Sequence, residues 1–261
     1  MTVVGMVFLG VMLFPVYWMV NSSLQDVSGA ATMSWFPSSP ILSNYVTAFQ
    51  QQGQNFVTSM VIAFGSVLLT LLVATPAAYG LARFRMRGTN AFLLVLLVTQ
   101  MVPTIVIANA LYTLFNNVGL LNSYIGLILA DSAAQMPFSI LLIRAFMVSI
   151  PPSLVEAALI DGANDLRAFT SIVVPISRNA IVTAALFVFL GAWGDFLFAL
   201  TLTSTPAIRP ITLGIYNYIG FNVTAWGPVM ATVVLASLPA VVLLVVAQRY
   251  IAAGALGGAV K

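Results

Sequence analysis

The side chains with chemistry to offer fall into two groups. Asp131, with Gln135 one helical turn later, and Asp195, beside Trp193, stand inside long apolar runs, as do Gln100 and Asn109. A carboxyl or amide in such surroundings is costly and is often functional. Asp131 and Gln135 could bind the hydroxyls of a solute in a wet pathway, or form a hydrogen-bonded pair between helices. Asp195 has the same two readings, and Gln100 and Asn109 are further pathway candidates. The second group, Glu156, Asp161, Asp165 and Arg167, sits in one polar stretch between apolar runs. The chain has no cysteine and no histidine, which removes disulfides, thiol chemistry and the common Cys/His metal sites. It has no Gly-x-x-x-x-Gly-Lys-Ser/Thr loop, so it has no Walker-type phosphate cradle of its own. No catalytic constellation is present, and neither a metal nor enzymatic activity is expected.

The elements that position these groups are membrane helices. Of 261 residues, 61% are hydrophobic and 6% charged, whereas a soluble domain carries roughly a quarter charged. Lipid must be the solvent over most of the surface. Runs long enough to span, at about 20 residues each, cover 3–20, 56–82, 91–115, 124–147, 180–203 and 227–250. The opening run lacks a basic leader and a small-residue cleavage site before Asn21, so it reads as a retained helix. Pro76, Pro103, Pro137 and Pro239 interrupt these runs and predict kinks.

Net charge is +3, and its distribution speaks for topology rather than for nucleic acid. Alternate loops, the tail and adjoining helix ends hold Arg83, Arg85, Arg87, Arg144, Arg167, Arg178, Arg249 and Lys261; the opposite loops hold Arg209 alone. That asymmetry places both termini in the cytoplasm.

The stretch 149–179 is too long and too patterned for a plain connector. Ser153 and Glu156 have capping-box spacing, Leu154, Ala157 and Ala158 favour a short helix, and Gly162 is placed to end it. Asn164 can cap a second short helix, which Pro175 stops. The expectation is a compact helix–turn–helix lying against the membrane, with small residues on one side where another protein's backbone could approach.

This stretch resembles the EAA loop of binding-protein-dependent ABC importers. Glu156-Ala157-Ala158, Gly162, Ile172 and Val174-Pro175 match the family pattern, with Val174 where Leu is usual. Asp161-Gly162-Ala163 resembles the sugar branch. So do Asn44-Tyr45 and the run Ala77 to Arg85, while Trp226-Gly227-Pro228 and Gln248-Arg249-Tyr250 bracket the last apolar run in the family manner. Trp193-Gly194-Asp195-Phe196 resembles a Trp-Asn-Asp/Glu stretch, with Gly194 in place of Asn. The ending Gly257 to Lys261 is similar to the tail of MalG-like subunits.

The resemblance covers nearly the whole chain and implies an all-α membrane protein: a six-transmembrane-helix ABC importer permease bundle with both termini cytoplasmic, multi-pass in a bacterial inner membrane. It implies that the chain forms half of a translocation pathway for a mono-, di- or oligosaccharide. A second homologous permease subunit, two cytoplasmic ATPase subunits and an extracytoplasmic solute-binding protein would be its partners. ATP and Mg would be held by the ATPases, with no cofactor in this chain. Glu156, Ala157, Ala158, Asp161, Gly162, Ile172 and Pro175 would seat the loop on an ATPase. Gly258, Ala259, Val260 and Lys261, in the tail 251–261, would reach toward the ATPase interface. No Lys, Arg or His sits mid-membrane, which favours a neutral polyhydroxylated solute over an anion. A polyol or glycerol phosphate importer is the alternative within the class. An ion-coupled carrier would use Asp131 and Asp195 but leaves the patterned loop unexplained.

Overall fold

The computed structural model of the chain describes residues 2–25, 34–37, 39–84, 86–221 and 226–257. Arg85 and the tail residues Gly258, Ala259, Val260 and Lys261 lie outside these. Among the described residues every regular element is helical: α1 (Thr2–Ser23), α2 (Ser43–Arg83), α3 (Thr89–Thr99), α4 (Thr104–Val118), α5 (Tyr124–Met147), α6 (Pro152–Ile160), α7 (Asp165–Ala168), a π-helical turn (Phe169–Val173), α8 (Val174–Ile176), α9 (Arg178–Trp193), α10 (Leu197–Leu202), α11 (Ile211–Phe221) and α12 (Trp226–Gly257).

Four of these, α1, α2, α5 and α12, are each long and apolar enough to cross a membrane. Two bent pairs raise the count to six if each is one span: α3 with α4, bent by 97°, and Asp165–Ile176 with α9, bent by 75°. The run 91–115, expected as one helix, is therefore divided. Pro103 has no N–H to give and disfavours the helical conformation at Val102; the chain turns at Gln100–Val102 and restarts as α4. The run 180–203 is divided too, because α9 ends at Trp193 and α10 begins at Leu197. Pro76, Pro137 and Pro239 lie inside α2, α5 and α12 without ending them.

Helix α2 begins at Ser43, well before the expected 56, and is 41 residues long. At that length it measures about 60 Å, twice a hydrocarbon core of roughly 30 Å. Most of the excess is its polar first part, Ser43 to Asn55, about 20 Å long at 1.5 Å per residue.

The chain divides into two compact units, Met1–Ser59 with Arg209–Val242 and Met60–Ile208 with Leu243–Lys261. The first is stitched by side-chain hydrogen bonds. Asn44, at the start of α2, donates through Nδ2 to the carbonyls of Ser23 and Gln25, both at 2.9 Å. Ser23 Oγ and Tyr45 Oη are 2.6 Å apart, and the Ile211 N–H donates to Ser59 Oγ at 2.8 Å. Gly227 is needed where it stands: a Cβ there would collide with the Asn44 amide and lie 2.8 Å from the Gln25 carbonyl oxygen. Phe14, Trp18 and Trp35 pack ring against ring, with Trp18 and Trp35 5.6 Å apart.

The second unit has two apolar cores. One gathers Ile62 of α2, Ala108 and Phe115 of α4, Leu127 and Ala130 of α5, and Phe198 and Leu202 of α10. The other gathers Ala74, Ala78 and Leu81 of α2, Ile140, Ile143 and Met147 of α5, and Val155, Ala158, Ala168 and Val173 of the stretch after α5. The short helices of the polar stretch thus belong to the second core and are held on the bundle by it.

Candidate functional site

The stretch 149–179 folds as two short helical arms. Pro151 and Pro152 open α6, with fixed backbone angles suited to a first turn. This overturns the expected capping box. The helix starts before Ser153, no side chain caps it, and Glu156 turns instead to Arg83 at the end of α2, Nη2 to Oε1 at 3.4 Å. Gly162 ends the arm with φ +88°, a left-handed conformation that costs other residues roughly 1–2 kcal/mol. Asn164 Oδ1 accepts from the Arg167 N–H at 2.8 Å and caps α7. The second arm carries on through the π turn and Pro175 to Ile176. A π turn has one residue more per hydrogen-bonded loop and re-aims the side chains around it.

The burial of α6 has a sharp division. Val155 and Ala158 are buried in the second core, while Leu154, Glu156, Ala157, Leu159 and Asp161 are exposed. Ile160 is 85% exposed and Leu166 69%. Gly162 and Pro175 are exposed and Ile172 is half-buried against the core. A short helix outside the apolar spans thus presents alanine and large aliphatic side chains to whatever lies beyond it.

The last turn of α2 meets this loop at two points, the Arg83–Glu156 pair and the rings of Tyr79 and Phe169, whose centroids are 5.0 Å apart; on its other side Arg144 Nε of α5 donates to the Leu81 carbonyl at 3.2 Å. Tyr79 and Arg83 were not legible as site residues. Arg83 reads as a topology charge, and 73 positions separate it from Glu156.

The membrane candidates divide by surroundings. Asp131 is 4% exposed on α5, and its neighbour Ser132 donates to the Ser66 carbonyl at 3.4 Å. Gln135 fills the space beside Gly191 of α9, where a Cβ would strike its amide. Asp195 sits in the break between α9 and α10 and caps α10: Oδ1 accepts from the Phe198 N–H at 3.2 Å and Oδ2 from the Ala199 N–H at 3.0 Å. The carboxylate suits the positive end of a helix. Gln100, at the α3–α4 bend, and Asn109, on α4, are exposed instead.

Comparison with known proteins agrees on one family. The model of the binding-protein-dependent transport system inner membrane component matches residues 74–256. The chain is similar to the sulfoquinovosyl glycerol transport system permease protein SmoH of Agrobacterium fabrum, 32% identical over 253 residues, which are 95% of this chain and 89% of the relative. It is similar to the trehalose transport system permease protein SugB of Mycobacterium tuberculosis, 33% identical over 258 residues, 97% of this chain and 93% of that one. Among solved structures, a chain of a bacterial ABC transporter involved in import of the acidic polysaccharide alginate shares the fold, with TM-score 0.81 at 22% identity over 95% of this chain and 94% of the other.

Proposed function

Because this chain belongs to the family of binding-protein-dependent transport system inner membrane components, we propose that it is the permease subunit of an ATP-driven carbohydrate importer in a bacterial inner membrane. The relatives named for sulfoquinovosyl glycerol and trehalose support a sugar-containing solute. A second permease subunit completes the pathway, two ATPase subunits dock beneath, and an extracytoplasmic binding protein delivers the solute. The excess of Arg and Lys on alternate loops supports cytoplasmic termini.

The observation that carries this reading is the exposed face of α6. Leu154, Ala157 and Ile160 lie at helical spacing on an arm whose other side is fixed by Val155 and Ala158. An exposed aliphatic patch of this kind marks a protein interface. We assign it to the ATPase, with Glu156, Asp161 and Gly162 at its edges and Ile172 and Pro175 in the arm behind. The resemblance to MalG-like tails supports a contact of Gly258, Ala259, Val260 and Lys261 with the same partner. Asp131, Gln135, Asp195, Gln100 and Asn109 are the polar groups offered to the pathway. Of these, Gln100 and Asn109 are exposed on this chain, while Asp195 holds the α10 start in place. The partner ATPases supply ATP and Mg.

The test is Gly162→Leu in the assembled transporter, with uptake of labelled sugars measured alongside membrane insertion. Insertion is expected at the wild-type level and ATP-driven uptake is expected to be lost. Wild-type uptake in this variant would count against the docking role.

A further inference from the structure

We propose that the last turn of α2 is the receiver through which movement of the 149–179 loop reaches the membrane helices, with Tyr79 and Arg83 as its positioning residues. This rests on the docking role of the loop and goes beyond it, by naming the bundle element and side chains that take up the displacement.

Three independent features meet at this turn. Both arms of the loop touch it: the first through Glu156 on Arg83 at 3.4 Å, the second through Phe169 on Tyr79 at 5.0 Å between centroids. Phe169 opens the π turn, so the ring is presented by a backbone that departs from the α-helix at that place. The contacts are also of a kind that carries motion. Glu156 is 60% exposed and its ion pair is single and long, so it holds α6 weakly and re-forms easily. A cavity of about 370 Å³ opens beside it, lined by Tyr79, Arg83, Met147, Pro151, Glu156 and Val173 among others, and leaves the first arm room to tilt. Behind the turn the link is firm, since Arg144 of α5 donates to the Leu81 carbonyl. A displacement entering at Tyr79 and Arg83 therefore moves α2 and α5 together.

The absence of cysteine from the chain makes the test direct. Asn109→Cys and Gln100→Cys, each as the single thiol of the assembled complex in proteoliposomes, report labelling rates with a membrane-impermeant maleimide fluorophore, with and without ATP plus vanadate. Each rate is expected to change on nucleotide trapping. Adding Tyr79→Ala is expected to shrink that change roughly fivefold, the scale of losing a contact of about 1 kcal/mol, while the ATPase still co-purifies and hydrolyses ATP. Arg83→Gln is expected to act in the same direction, and Tyr79→Phe, which keeps the ring, to restore the response. An unchanged response in both Tyr79→Ala and Arg83→Gln, with the ATPase bound, would overturn the receiver and leave the docking role standing. Failure of the ATPase to co-purify with the single-thiol proteins themselves would overturn the docking role, and the receiver with it.

Discussion

The two ends of α2 are held by opposite kinds of force. The first end is fixed by directional bonds: Asn44 to two carbonyls, Ser23 to Tyr45, and Ser59 to the Ile211 N–H. The last end lies in an apolar core and touches the 149–179 loop through a ring contact and one long ion pair. Hydrogen bonds fail when geometry shifts by a fraction of an ångström, whereas apolar contact is non-directional and survives sliding. The contrast fits the proposed docking role, in which the 149–179 loop would move while the polar end of α2 keeps its bonds.

The largest effect that could break this contrast is in the stitched unit. Gly227→Leu drives a side chain into the Asn44 amide and the Gln25 carbonyl; a stability loss of about 3 kcal/mol is expected, read as a lower unfolding midpoint in detergent. A midpoint at the wild-type value would mean the polar stitching is looser than the distances imply. Asn44→Ala leaves two carbonyls without their donor and should cost about 2 kcal/mol in the same assay. At the other end, a Cβ added at Gly162 meets no neighbour within 4 Å, but φ there is +88°, so Gly162→Leu strains the backbone. The expected loss is smaller, about 1–2 kcal/mol, with uptake falling much further than stability. Smallest of all, Ser153→Ala should change stability by less than about 0.5 kcal/mol, because its side chain caps nothing. A loss of about 1 kcal/mol would reinstate the capping box read from the sequence.

Much of this was legible in the residues. Apolar run length gave the membrane class, and Gly162 and Asn164 end and cap the helices they were expected to. The failures have physical causes. Ser153 and Glu156 have the right spacing, but the Pro151-Pro152 pair starts the helix earlier and removes Ser153 from the cap. The run 91–115 is mostly apolar, and apolarity alone cannot reveal a 97° bend at Pro103, since proline elsewhere in the chain leaves α2, α5 and α12 unbroken. The true start of α2 was hidden because its first part is polar and no hydropathy threshold counts it. Asp195 was open to a pathway or a structural role, and its two N–H bonds became visible only with the break at Gly194. Arg83 and Tyr79 stand in the run Ala77 to Arg85, but nothing in that run reveals their contacts with Glu156 and Phe169, because those partners come from distant sequence.

Under the proposed function the exposed α6 face seats on a partner ATPase. The direct measurement is a pull-down of the tagged chain from its native membrane in mild detergent, beside Ala157→Arg, which puts a long charged side chain on that face without touching the buried Val155 and Ala158. If the face docks there, the wild-type chain is expected to bring down a Walker-motif ATPase, a second permease and a solute-binding protein, and Ala157→Arg to keep the second permease and lose the ATPase. Equal recovery of the ATPase by both proteins, or recovery of the wild-type chain alone under conditions that preserve other membrane complexes, would contradict that docking.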